Sequence, residues 1–168
     1  MEQDMIIVKA NRLADRYKTR NPFELADVLG VHIGYSSDFT KLKGMYFNIL
    51  QKRFIIINDN LDERTKRLVA AHELGHDRLH RELAKTKGLC EYSLYKMDCR
   101  PEYEANIFAA ELLIDTPTLL EYIFDGMDIF TVSKMMGIDA NLIALKVSNL
   151  TRQGYDLKTP EYNPSFLK

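Results

Sequence analysis

Five residues, His72-Glu73-Leu74-Gly75-His76, constrain this chain more than any other stretch of it. On a helix, side chains four apart share one face, so the two imidazoles can converge on a single metal ion. Glu73 stands one position round from the first histidine, where it can hold a water beside that ion and take its proton. A catalytic zinc takes three protein ligands and leaves its fourth position to water. The chain must therefore fold so that this helix meets a second element carrying another donor.

The flanking sequence suits that demand. Ahead of the motif, VHIGY, GMYFNIL and RFIIIND are apolar, β-branched runs separated by turns. They are expected to form three short strands of an antiparallel sheet, with Phe54-Ile55-Ile56-Ile57 as the buried central strand. His32, on the first strand, reads as a structural residue. Asn58-Asp59-Asn60 can cap a helix over about residues 61–80. The small residues Ala70, Ala71 and Gly75 let a neighbour approach its metal-bearing turn.

Before the strands, Ile6, Ile7, Ala10, Leu13, Ala14 and Tyr17 recur at helical steps. Asn21-Pro22-Phe23-Glu24 has the pattern of a helix start, with Gly30 as the stop. Beyond the motif, residues 81–100 lack a period and read as a loop where a cleft rim would sit. Pro101 then opens a helix over about residues 101–114 that is nearly apolar all round, hence a core helix. Thr116-Pro117 starts another. Asp128 and Asp139 read as caps of two short helices stopped by Gly137 and Gly154.

The third donor is sought on the core helix. Glu102 and Asn106 are four apart, so a carboxylate can reach the metal while an amide oxygen accepts from a ligand imidazole N–H. Glu104, two positions on, points elsewhere. Glu111 lies about 13 Å further along at roughly 1.5 Å per residue, and reads as an internal ion-pair or hydrogen-bonding residue. His80 is too far along its own helix to join His72 and His76 on one ion, and is assigned a supporting role behind the ligands. No histidine follows His80 to stabilise an oxyanion, which leaves Tyr92, Tyr95 and Tyr46 as donors to consider.

Composition sets the class. At 168 residues and 46% hydrophobic, the chain suits one compact domain. Lys+Arg 23 against Asp+Glu 24 supplies no overall basic field for a nucleic-acid backbone. No apolar run reaches the roughly 20 residues of a membrane span, and the reading is a cytoplasmic protein. Cys90 and Cys99 are too few for a disulfide scaffold and are read as free thiols.

HELGHDRLH followed by EYEANIFAAELLID resembles the ImmA/IrrE family of zinc metallopeptidases, whose pattern is H-E-L-G-H-x-x-L-H and then E-x-x-A-N-x-F-A-A-E-L-L. The match is close from Arg53 to Asp115 and looser outside. The family's block commonly ends in Met-Pro, whereas here it ends Ile114-Asp115 with Pro117 later, which bears on the helix end. The resemblance implies His72, His76 and Glu102 as ligands of one Zn2+ and Glu73 as catalytic base. The expected fold is α+β: a mostly helical zincin-like domain over residues 1–125, its small antiparallel sheet beside the HExxH helix, and a short C-terminal helical extension over 126–168 packed on it. It further implies cleavage of a helix-turn-helix repressor of a phage or mobile element, or of a stress-response repressor.

Two other readings compete. In one, zinc is structural, four ligands close its coordination with Cys90, Cys99 or His80 among them, and the protein sequesters its partner. In the other, ELADVLGV or TVSKMMGIDANLIALKVSNL binds DNA directly, although Leu142, Ile143, Leu145 and Val147 are too apolar for a groove-reading helix.

Overall fold

The computed structural model describes residues 3–82 and 100–158. Seven helices and three strands follow in the order α1 (Gln3–Tyr17), α2 (Pro22–Val28), β1 (Val31–Ser36), β2 (Gly44–Ile49), β3 (Lys52–Asn58), α3 (Glu63–Leu79), α4 (Arg100–Leu113), α5 (Thr116–Phe124), α6 (Ile129–Met136) and α7 (Ala140–Arg152) among the described residues. The fold is a mostly helical α+β arrangement.

Local chemistry explains most boundaries. α1 buries Ile6, Ile7, Ala10, Leu13 and Ala14 along one stripe. The Asn21 side chain accepts from the Phe23 N–H to cap α2, which ends ahead of Gly30 at φ 68°. The cap of α3 is Asp62, which accepts from the Thr65 N–H at 2.9 Å. The expected cap at Asn58-Asp59-Asn60 is displaced because Asn58 works inward: its amide donates to the carbonyls of Phe39 and Leu42, pinning the connection between β1 and β2. Asp115, Asp128 and Asp139 cap α5, α6 and α7.

The sheet departs from expectation in one respect. Its order is β1-β3-β2, with β2 antiparallel to β3 but β1 parallel to it. β3 holds the centre, with Ile55 and Ile57 fully buried. A two-residue turn, Leu50-Gln51 at φ 49° and 65°, makes β2 and β3 an antiparallel hairpin. The connection before β2 reverses the chain, so β1, docked on the other side of β3, runs the same way as β3. The His32 ring lies tilted against Phe54 at 5.3 Å between centroids, and Phe54 stacks at 5.2 Å on Phe47, a row of rings that gives His32 a packing role.

Helix α3 packs on the sheet with one side and on α4 with the other. The close approach runs through Gly75: a Cβ there would lie 3.2 Å from the Ala105 backbone and 3.3 Å from Phe108 Cβ. α7 is tied to α4 by a buried ion pair between Lys146 Nζ and Glu111 Oε2, each residue 1% exposed. Asn11 of α1 also donates to that oxygen, at 3.2 Å. Glu111 is therefore an internal ion-pair residue, as its distance from the motif suggested.

Candidate metal centre

The histidines of α3 and the first turn of α4 meet in a buried cluster. His72, His76 and Glu102 each offer one donor atom, and these atoms lie within 4.8 Å of one another. The Nε2 atoms of His72 and His76 are 3.2 Å apart. His72 Nε2 is 3.1 Å from Glu102 Oε2, and His76 Nε2 is 3.3 Å from Glu102 Oε1. Tetrahedral ligands at zinc's usual bond lengths of about 2.0–2.1 Å stand roughly 3.3 Å from each other, so the donor set fits such an ion. Among the described residues, the buried Glu102 Oε1 accepts no well-aligned hydrogen bond, which leaves it able to face a cation.

Each ring is oriented from behind. His72 Nδ1 lies 2.8 Å from Asn106 Oδ1; an amide oxygen only accepts, so this nitrogen carries a proton, and the neutral ring presents a bare Nε2 to the cluster. His76 Nδ1 lies 3.1 Å from His80 Nδ1. His80, the residue capping the end of α3, turns its Nε2 to Glu104 Oε2 at 3.0 Å. Both of its nitrogens are thus engaged away from the three donors, which leaves it unsuited to be a fourth ligand. Among the described residues, only His72, His76 and Glu102 converge in this way.

Burial and charge act against each other here. Burial pushes Glu102 up, but the adjoining His72 and His76 hold it down at about 2. Burial pushes His72 down, and the Glu102 carboxylate more than offsets this, so its affinity for a proton is raised. Burial dominates for His76, lowered to about 4, and also lowers His80. Glu73 is raised to about 7, chiefly by burial and further by the charge of Glu102, while His72 and a hydrogen bond from the Tyr46 backbone N–H oppose the rise. A carboxylate near neutrality can both take and return a proton.

Tyr46 corrects one expectation. Its side chain is fully buried, and its hydroxyl donates to Asp77 Oδ1 at 3.0 Å, so what it offers the site is its backbone N–H. Tyr92 and Tyr95, like Cys90 and Cys99, lie outside the described residues. Sequence reasoning missed Asp77, whose buried carboxylate accepts from Tyr46, from Arg53 Nη1 at 3.1 Å and from Arg81 Nη2 at 3.1 Å. Arg53 also donates to the Leu29 carbonyl, so this network locks the His76 turn of α3 onto β2, β3 and the end of α2. Its one sequence signal was an acid directly after the second histidine.

The helix-turn-helix cadence near the C-terminus does form two helices about a left-handed Gly137. Leu142, Ile143, Ala144, Leu145 and Val147 of α7 are buried, which removes that face from any groove. ELADVLGV falls on α2 and the start of β1, with no recognition helix behind it. No helix among the described residues is long and apolar enough to cross a membrane.

Comparison with known proteins gives concordant results. The model of the peptidase M78 family, described as the IrrE N-terminal-like domain, matches residues 26–148. An "uncharacterized immunity region protein 2" of Bacillus phage phi105 is 33% identical over 142 residues, covering 84% of this chain and 89% of the relative. The protein named metallopeptidase ImmA of Bacillus subtilis strain 168 is 30% identical over 115 residues, covering 67% of this chain and 65% of that protein.

Proposed function

This chain belongs to the ImmA/IrrE family of M78 metallopeptidases, and we propose that it is a zinc-dependent endopeptidase that cleaves one regulatory protein, a helix-turn-helix repressor of a phage or mobile element. The observation that carries the reading is the convergence, at tetrahedral spacing, of two imidazole nitrogens from the helix that also bears Glu73 with a carboxylate from α4. In this reading His72, His76 and Glu102 hold one Zn2+. When bound, zinc polarises the scissile carbonyl and makes a water acidic enough to attack at neutral pH. Glu73, held by the Tyr46 N–H, takes the proton of the attacking water and delivers it to the leaving amine. Burial excludes bulk water and strengthens each of these interactions.

The repressor as substrate is supported by family membership and by likeness to a protein named for a phage immunity region. Such a repressor acts in the cytoplasm, and we place this protein there too. The competing reading, a zinc-stabilised protein that sequesters its partner without cutting it, requires a closed coordination shell, and the engagement of His80 with His76 and Glu104 argues against its contributing the extra ligand.

The test uses the full chain with candidate helix-turn-helix repressors, beginning with any encoded beside its gene. Wild type is expected to bind one zinc and cleave the repressor; Glu73→Gln is expected to bind zinc equally and leave the repressor whole. Cleavage by Glu73→Gln would remove the mechanism. A stable complex with uncut repressor, formed equally by both proteins, would establish sequestration instead.

A further inference from the structure

We propose that Glu104 is a positioning residue for the metal, acting through His80 to fix His76 in the tautomer that leaves its Nε2 bare. The inference rests on the reading of His72, His76 and Glu102 as ligands, and concerns how the second of them is held.

Two neutral imidazoles that meet nitrogen to nitrogen need one N–H and one lone pair between them. His76 Nδ1 and His80 Nδ1 meet at 3.1 Å, and nothing in that contact alone decides which donates. The decision is made at the far side of His80. Its Nε2 lies 3.0 Å from Glu104 Oε2, and an ionised carboxylate can only accept. The proton of His80 is therefore on Nε2, its Nδ1 is bare, and the proton in the shared contact must come from His76 Nδ1. A neutral imidazole has one N–H, so His76 Nε2 is left with its lone pair facing His72 Nε2 and Glu102. The opposite arrangement would aim an N–H at the point where a cation must sit.

Arg100 completes the chain. Its Nε donates to Glu104 Oε1 at 2.8 Å, so the carboxylate meets Arg100 with one oxygen and His80 with the other. The first turn of α4 thus supplies a ligand, Glu102, and, two residues on, the group that sets the ring of a second ligand. His72 needs no such relay because Asn106 reaches it directly. His76, one turn further along α3, points its Nδ1 at the helix end, where His80 spans the gap to Glu104.

Zinc affinity of the purified full chain, measured by competition with a chromophoric chelator, tests this without reference to activity. Glu104→Leu, which removes the acceptor, is expected to weaken zinc by about 10–100-fold, whereas Glu104→Gln, which keeps a carbonyl acceptor, should stay within about threefold of wild type. His80→Asn places an amide oxygen where His80 Nδ1 stood and no longer needs Glu104. It should bind like wild type and restore affinity when combined with Glu104→Leu; a merely structural role for Glu104 would not be rescued. Should Glu104→Leu fail to fold, as judged by circular dichroism, His80→Leu against His80→Asn makes the same comparison, the first losing about 10–100-fold and the second not. Wild-type affinity in Glu104→Leu or His80→Leu, or a loss that persists in the Glu104→Leu, His80→Asn double variant, overturns the proposal. A wild-type chain that binds no zinc overturns the ligand reading itself, a distinct result.

Discussion

Replacing Gly44 with alanine tests how closely the edge strand is fitted to the catalytic helix. A Cβ at Gly44 would stand 2.3 Å from Val69 Cγ1 and 3.3 Å from Glu73 Oε1. Carbon atoms rest at about 3.5–4.0 Å, so the overlap with Val69 exceeds roughly 1 Å. Val69 cannot swing away, because a β-branched residue in a helix is held to one strongly preferred χ1 rotamer. β2 must then withdraw from α3, which costs about 1–3 kcal/mol of stability. The same withdrawal draws the Tyr46 N–H off Glu73, and a misplacement near 1 Å can reduce turnover by about 100-fold. Val69→Ala alone deletes two buried methylene equivalents, or about 1.6 kcal/mol before any cavity term. In the double variant the new methyl of position 44 occupies the space that Val69 gave up. Urea unfolding of the four metal-free proteins should therefore give a favourable coupling of about 1–3 kcal/mol, with turnover partly recovered. Additive losses, within about 0.5 kcal/mol, would refute the steric account.

Three other outcomes follow from the same coordinates. Glu73 is raised from an unfolded value of 4.5 to about 7, so the native metal-free chain holds a proton there that the unfolded chain has released; its contribution is present below pH 4.5 and lost as pH rises through 7. Metal-free Glu73→Gln should thus gain about 3 kcal/mol over wild type in urea unfolding at pH 8 and nothing at pH 4, and equal gains at both would refute the assignment. Leu50→Asn with Gln51→Gly gives the hairpin residues suited to its positive φ angles and should raise stability by about 1–2 kcal/mol, read from the denaturation midpoint. Lys146→Met strands the buried Glu111 carboxylate and should cost about 3–5 kcal/mol, while Lys146→Met with Glu111→Leu should recover most of it; no recovery would show that the pair is not the source of the loss.

What the sequence made legible was whatever repeats along one element. The helical period brought His72 and His76 to one face of α3, and Glu102 and Asn106 to one face of α4. The apolar run of Phe54–Ile57 marked the central strand, in which Ile55 and Ile57 are buried and Phe54 and Ile56, on the other face, are half-buried. The direction of β1 left no such trace, because side-chain alternation is the same in parallel and antiparallel pairing. The turn at Leu50-Gln51 was hidden by residues that seldom take positive φ. Tyr46, considered as an oxyanion donor, misled because its hydroxyl partner, Asp77, is 31 positions away in sequence. Glu104 stayed unread because its partner is another helix's capping residue.

The site also explains why so much buried polar structure surrounds it. His72, Glu73, His76 and Glu102 are all buried, and among the described residues Glu102 Oε1 has no well-aligned hydrogen-bond donor to offset its burial. A chain that buries these groups is held in shape by other contacts: Asp77 against Tyr46, Arg53 and Arg81 on one side of α3, and the Gly75 approach to Ala105 on the other. Because the donors are already at ligand spacing, a cation need not reorganise them, and its binding energy goes into stabilising the folded state over the unfolded one. The orienting groups Asn106, His80 and Glu104 then have a second consequence. By engaging the far nitrogens of the two rings they turn both Nε2 atoms toward Glu102, so a cation would meet three donors already aimed at one point.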